Sequence, residues 1–594
     1  MNVDTSGIQR VSSLPEALFA NGDHGSSRPA QWYRREDGYV PVTYAQLISR
    51  VRHIASGLIR AGIQPGDRIG LLMENRPEWA AIDYAILSIG AVTVPLYCNY
   101  RPQDIAYVLK DCGAVAIFTS GGQLLRHLLQ ASRECPELHR IYCLEQATGS
   151  GSTELLTSLE AGEIETTAIE QRLASLTRQT LATLVYTSGT TANPKGVMLT
   201  HGNILTNLEA VPDVLQLRTD DRMLSFLPLA HALERMGGHF LVYSFGISVA
   251  FAERPDTVAK NLVEAEPTIL ISVPRMLEVV RSRMLAQVAK QPAIQRQPFN
   301  RYLRLSERRR HAKLNLFDNL IFRLLDGLVG GKVRARFGGH LRLLVSGGAP
   351  LSIEVGEFFE NLGLPVIEGY GLTESAPLLT VNPLHDRRPG SVGKAAGVEL
   401  RIAEDGEILA RGNNIMPGYW KLPEATAEAL DADGWLHTGD IGELDADDYL
   451  RITDRKKDLI VNSGGENIAP QRIEAMLVGD PMIDQAVIFG DKRPYLIALI
   501  VPNRESCAVW AKESGLPDTD WEHLCRAEIF RKQIQSRING ILKPLNPFEQ
   551  IRRILIVDQP MTIEDGLLTP TLKVKRRKVY EKFAAQLEQL YAGS

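Results

Sequence analysis

From Val42 onward, amphipathic helical runs alternate with short apolar segments, and that alternation restricts the chain to an architecture of parallel strands linked by helices. Tyr44 to Ala61 carries the helical period, Arg68 to Leu72 reads as a strand, Trp79 to Ile89 as helix and Val92 to Leu96 as strand. Parallel neighbours need a crossover of a dozen or more residues, which a helix supplies. Further strands are expected at Leu181 to Thr187, Thr268 to Val273, Arg342 to Ser346 and Pro365 to Glu368, each running into a loop. Loops at the carboxyl ends of such strands are where α/β folds hold ligands. With 594 residues, the chain is several times longer than one ordinary domain, so a large multi-lobed α/β body is expected.

Two changes of pattern subdivide it. Between Arg281 and Gly339 the sequence becomes long, charge-rich helix, including RYLRLSERRRHAK, and reads as an inserted helical arm; its basic residues suit either a solvated face or a membrane-surface patch. Past Asp440 a hairpin-like run from Gly442 to Thr453 leads into DRKKD. A boundary after residue 454 is expected, with a small, mobile α+β domain over residues 455–594.

Composition excludes several classes. Sixty-six Lys and Arg against 70 Asp and Glu leave a net charge of −4, which gives no electrostatic case for nucleic acid. The first residues lack the basic and apolar regions of a secretory signal. The long apolar stretch from Ala80 to Cys98 is interrupted by Asp83, Gly90 and Pro95, so a buried helix and strand are expected in place of a membrane span. The six cysteines show no CxxC pair, as in a reducing compartment. A cytoplasmic enzyme is the simplest expectation.

The most informative local string is YTSGTTANPKG, Tyr186 to Gly196, directly after an apolar strand. Its amides, hydroxyls and single lysine suit phosphate oxygens. It is not a Walker A loop, because Lys195 sits between Pro194 and Gly196 and no Gly-Lys-Ser/Thr opens a helix. SGGAP (Ser346 to Pro350), GYGLTES (Gly369 to Ser375), HTGD (His437 to Asp440), DRKKDLIVNSGGENI (Asp454 to Ile468) and LTPTLK (Leu568 to Lys573) follow in order. Together these strings resemble the acyl-adenylate-forming superfamily over nearly the whole chain. LPLAHALERM (Leu227 to Met236), VPRMLE (Val273 to Glu278) and the arm look most like its long-chain acyl-CoA synthetases.

The resemblance implies ATP, Mg2+ and coenzyme A, and a fatty acid joined to CoA through an acyl-adenylate. It assigns Thr187, Ser188, Gly189, Thr190, Thr191 and Lys195 to the ATP phosphates, and Glu374 with Thr190 to magnesium. Thr373 is placed near the α-phosphate and His231 near the acyl carboxylate. Gly348, Ala349 and Tyr370 are implied around the adenine, Glu368, Gly369 and Gly371 elsewhere in the ATP/AMP site, and Asp440 and Arg455 at the ribose. Lys573 matches the late catalytic lysine, with Lys575 the nearest alternative. Lys457 matches the hinge, and Ser463, Gly464, Gly465, Glu466 and Asn467 the path of CoA. A fatty acyl-AMP ligase or carrier-loading enzyme shares the first half-reaction, and a non-catalytic lipid-binding protein of this fold is a second alternative. Peripheral attachment at the inner face of a membrane suits the greasy substrate. The residues leave chain length and oligomeric state open, a homodimer included.

Overall fold

A computed structural model describes residues 3, 5–25, 27–145, 153–187, 194–456, 459–463, 466–516, 520–569 and 573–592. The expected alternation is present. A helix at Tyr44–Arg60, capped by Thr43 accepting from the Gln46 amide, precedes the strand Arg68–Leu72. The helix Pro77–Ser88, with proline in its first turn, precedes Val92–Leu96. Ala114–Thr119 and Arg140–Cys143 extend this sheet in parallel, and Leu181–Thr187 joins its other side.

A second sheet runs in parallel through Ser248–Phe251, Arg222–Ser225, Ile269–Ser272, Leu343–Ser346 and Val366–Gly371. Ile269–Ser272 is buried throughout, as a strand covered on both faces is, whereas Val366–Gly371 is buried only at Val366 and Ile367 and opens toward the cleft beyond them. Among the described residues no helix is long and apolar enough to cross a membrane.

Antiparallel partners stand at the margins: Lys195–Thr200 beside Leu181–Thr187, Leu378–Val381 beside Val366–Gly371, and Gly38–Thr43 beside Pro29–Arg35. Short connections allow these returns, since an antiparallel neighbour needs only a turn. A further antiparallel sheet, Glu399–Ile402, Glu407–Arg411, Leu436–Leu444 and Leu450–Arg455, precedes the C-terminal region. That region has its own core around the strands Ile483–Phe489, Leu496–Pro502 and Ile551–Ile556. The helical arm starts somewhat earlier than residue 281, with Pro274–Ala289, and continues through Ala293–His311 and Leu316–Leu325.

Candidate active site

A cleft of about 3870 Å3 opens where the two large sheets, the antiparallel sheet and the C-terminal region meet. A single-ligand pocket occupies roughly 300–1,000 Å3, so this cleft has room for several substrates at once. On one wall the strand Leu181–Thr187 turns back as Lys195–Thr200, with Thr187 opposite Lys195, so Lys195 opens a strand instead of ending a loop. Tyr107 donates its hydroxyl to the Pro194 carbonyl at 3.0 Å, and the Trp420 amide donates to Gly196 at 2.8 Å. These bonds fix where the lysine emerges. Ser188, Gly189, Thr190 and Thr191 lie outside the described residues.

The Lys195 ammonium stands 4.8 Å from the centre of the Tyr419 ring, and the Tyr419 hydroxyl donates to Glu374 Oε1 at 2.8 Å. Tyr419 therefore joins two groups that are far apart in sequence. Sequence reasoning missed it; its only signal was an aromatic pair, Tyr419 and Trp420, after a Pro-Gly turn. Thr373 and Glu374 lie in the short 3-10 turn Thr373–Ser375. Asn207 holds that turn from behind, donating to the Ser375 carbonyl at 2.8 Å. Gly371 admits no side chain, since a Cβ there would fall 1.6 Å from the Pro377 carbonyl oxygen.

Gly348 (φ +81°) and Ala349 follow the strand Leu343–Ser346 and line the cleft, facing Glu368, Gly369 and Tyr370 of the neighbouring strand. Burial pushes the Glu368 carboxyl up to about 8, against the pull of amides at Leu351 and Gly390. Across the cleft Asp440 is only 4% exposed and stands opposite Arg455 on paired strands. Its Oδ1 accepts from Arg455 Nε at 3.0 Å and its Oδ2 from the Tyr370 hydroxyl at 2.7 Å. Fifteen residues of separation thus become a direct contact through the hairpin that the sequence indicated.

Lys573 enters from the C-terminal region. Its backbone is held by reciprocal bonds with Thr569, at 3.0 and 2.8 Å. Its side chain is wetted by the open cleft yet walled by protein, which desolvates the ammonium and lowers its pKa to about 8; Arg455 lowers it further, while Asp440 and Glu374 oppose the shift. Lys575 lines the same cleft, with its amide given to Leu567. His231 is pushed down to about 4, first by burial and then by Lys573. Its Nδ1 accepts from the Leu233 amide at 3.3 Å, so the neutral ring carries its proton on Nε2. Beyond His231 the lining turns apolar, with Val211, Leu215, Met236, Leu241 and Ile271. These scattered side chains had no sequence signature separate from core.

Behind His231 lies a polar core. Asp83, entirely buried, receives Arg235 Nη2 at 2.7 Å and His239 Nε2 at 2.9 Å, and Arg235 Nη1 donates to Thr183 at 2.6 Å. Burial alone would raise the Asp83 carboxyl, but Arg235 and His239 outweigh it and hold it below its ordinary value. Next to this network, burial raises the Glu234 carboxyl to about 8, only partly offset by Ser225. The native protein therefore keeps this proton across a range in which the unfolded chain, near 4.5, releases it. Stability from this group is full below pH 4.5 and declines as pH rises to about 8. Glu234→Gln should flatten that decline and stabilise the protein at pH 8 by about 1–3 kcal/mol, measured as urea midpoints from pH 5 to 8.5. Parallel pH curves for the two proteins would contradict this.

Not every residue singled out in the sequence reaches the cleft. Ser463, whose amide donates to Arg493, and Glu466, bonded to Asn462, lie in a loop that does not line it. Asn467 pairs through its backbone with Val461. Lys457, Gly464 and Gly465 lie outside the described residues. No group of three or more His, Cys, Asp or Glu able to hold a metal occurs among the described residues. A single carboxylate lining the cleft, such as Glu374, fits Mg2+, which is commonly held by one or two carboxylates together with substrate phosphates.

Lys195, the Glu374 carboxylate, the buried Asp440 paired with Arg455, and Lys573 converge on one cleft, an arrangement suited to setting a carboxylic acid against a nucleotide. Residues 19–420 match the AMP-binding enzyme family and residues 457–594 the AMP-binding enzyme C-terminal domain, so the chain belongs to that family. It is similar to the long-chain-fatty-acid–CoA ligase FadD15 of Mycobacterium bovis, 36% identical over 584 residues and 94% of each chain. It is also similar to long-chain-fatty-acid–CoA ligase 1 of Cavia porcellus, 33% identical over 96% of this chain and 84% of that one. Among solved structures it shares the fold of the adenylation domain of a carboxylate reductase from Mycobacterium chelonae, with a TM-score of 0.76, 23% identity and coverage of 100% and 94%.

Proposed function

We propose that the protein is an ATP-dependent long-chain fatty acid:CoA ligase that works through an acyl-adenylate. In the first step a carboxylate oxygen of the fatty acid attacks the α-phosphorus of ATP, the bond to the β-phosphate oxygen breaks, and pyrophosphate leaves. In the second, the CoA sulfur attacks the acyl carbon, the carbon–oxygen bond breaks, and AMP leaves with the oxygen that joined them. The observation that carries this reading is that Lys573, from the C-terminal region, lines the same cleft as Glu374, Asp440 and Arg455. The names of the full-length relatives support the choice of fatty acid and CoA.

The roles follow from charge. Bringing a carboxylate to a triphosphate sets anion against anion, and Lys573 neutralises the oxygens where charge accumulates in the transition state. Thr187, Ser188, Gly189, Thr190, Thr191 and Lys195 hold the β- and γ-phosphates, with Thr373 at the α-phosphate. Glu374, with Thr190, would hold Mg2+, which supplies charge neutralisation on the phosphates. Asp440 accepts from the ribose hydroxyls through its remaining lone pairs, oriented by Arg455 and Tyr370, while Gly348, Ala349, Glu368, Gly369 and Gly371 surround the base. Neutral His231 presents Nε2–H toward the acyl carboxylate. The domain boundary lies after residue 454, and rotation about Lys457 exchanges Lys573 for the loop of Ser463, Gly464, Gly465, Glu466 and Asn467 when CoA enters.

The protein acts on the cytoplasmic side and meets its fatty acid at the membrane surface. Purified protein given oleate, ATP and Mg2+ should form AMP and oleoyl-CoA only when CoA is added. AMP formation indifferent to CoA would assign it to the fatty acyl-AMP ligases or carrier-loading enzymes, and absence of pyrophosphate would leave a lipid-binding protein.

A further inference from the structure

We propose that the helix Leu316–Leu325 and the turn after it form an insertion surface for an anionic lipid bilayer. Leu316, Phe317, Leu320, Leu324 and Leu328 point outward, with exposures from 58% at Leu320 to 92% at Leu316. Helical periodicity gathers them into one stripe, while Phe322 on the other face is buried against Tyr302, with ring centres 5.6 Å apart and nearly parallel. The helix thus has one apolar face in the core and a second left largely exposed among the described residues. Its backbone is well held: Asn315 caps its start, and Asp326 beyond its end bonds Tyr302 at 2.7 Å and Arg334 at 2.8 Å. The stripe is therefore presented on a fixed support.

Charge identifies the occupant. Residues 290–340 hold twelve Lys and Arg against three Asp and Glu, in a chain whose net charge is −4. Two of the three acids are neutralised locally, Asp318 by Arg308 at 3.0 Å and Asp326 by Arg334. Arg301, Lys313, Arg323 and Lys332 are exposed and carry no ion pair among the described residues. An apolar stripe bordered by cations is the combination that buries side chains in a headgroup region while attracting acidic lipids. A second copy fits poorly, because a symmetric pairing would set this cationic arm against itself. A bilayer also holds long-chain acids, so docking there would bring the cleft to its substrate. That benefit rests on the fatty-acid reading above; binding to lipid does not.

The test is flotation of the full chain, without ATP or CoA, with vesicles of phosphatidylcholine alone or mixed with phosphatidylglycerol. The protein should float with the acidic vesicles, and salt should weaken the association. A triple variant, Phe317→Glu, Leu320→Glu and Leu324→Glu, should lose binding by about tenfold or more. Arg301→Glu with Arg323→Glu should remove the preference for acidic lipid. All five positions are solvent-exposed, so melting curves and pyrophosphate release with a water-soluble short acid should stay unchanged. Failure of the native protein to float, or equal flotation of the triple variant, would overturn the proposal. So would a native dimer that the triple variant dissolves. Flotation is read without catalysis, so a protein that binds vesicles but cleaves no ATP would refute the ligase reading alone.

Discussion

Lys573→Ala should lower acyl-adenylate formation by about a hundredfold or more while conversion of supplied acyl-adenylate to acyl-CoA survives. Removing a charged group that acts mainly in the transition state commonly costs about 2.7–4 kcal/mol. The side chain shares the cleft with Asp440, Glu374 and Arg455, and in the proposed cycle the second half-reaction calls on a different loop. Pyrophosphate release and thioester formation, measured separately, check this; equal loss of both would refute the division of labour. The pH dependence follows from the same geometry. With the ammonium lowered to about 8, kcat/KM for adenylation should fall as pH rises through that value, because the lysine is then losing its proton. His231, held near 4, should add no acid limb between pH 5 and 7.

Asp83→Ala should destabilise the fold by about 3–5 kcal/mol, against a total that for most proteins is only about 5–15 kcal/mol. The substitution leaves the Arg235 guanidinium buried with its carboxylate gone, and Thr183 alone does not compensate a full charge. It also frees the segment that carries His231, since Arg235 lies four residues further along. A fall in the first unfolding transition by scanning calorimetry, with Arg235→Ala in the Asp83→Ala background adding little, is the expected pattern. An unchanged transition in Asp83→Ala would show that the pair contributes nothing. Independent, additive losses from the two substitutions would contradict the coupling.

The strands and motifs at the site were legible because each is local. The run from Leu181 to Thr187 is a mostly apolar strand in sequence and in the structure, and HTGD with DRKK marked the hairpin that sets Asp440 beside Arg455. What stayed hidden is what depends on distant neighbours. The antiparallel edges are short strands whose direction is set by their partners, so Lys195 read as loop. Tyr419 carries no motif of its own and gains its place only through Lys195 and Glu374. Leu215 and Ile271 look like core until the cleft they face is seen. The arm was legible as basic helix, yet its apolar outer face was not, because Leu316 and Phe322 are equally apolar and only packing separates the buried one from the exposed one.

Fatty acid labelled with 18O in both carboxyl oxygens, incubated with ATP, Mg2+ and CoA, should yield AMP carrying one 18O atom per molecule, read by mass spectrometry, and pyrophosphate carrying none. An unlabelled AMP, or label appearing in phosphate with ADP as the nucleotide product, would mean that the carboxylate never bonded to the α-phosphorus.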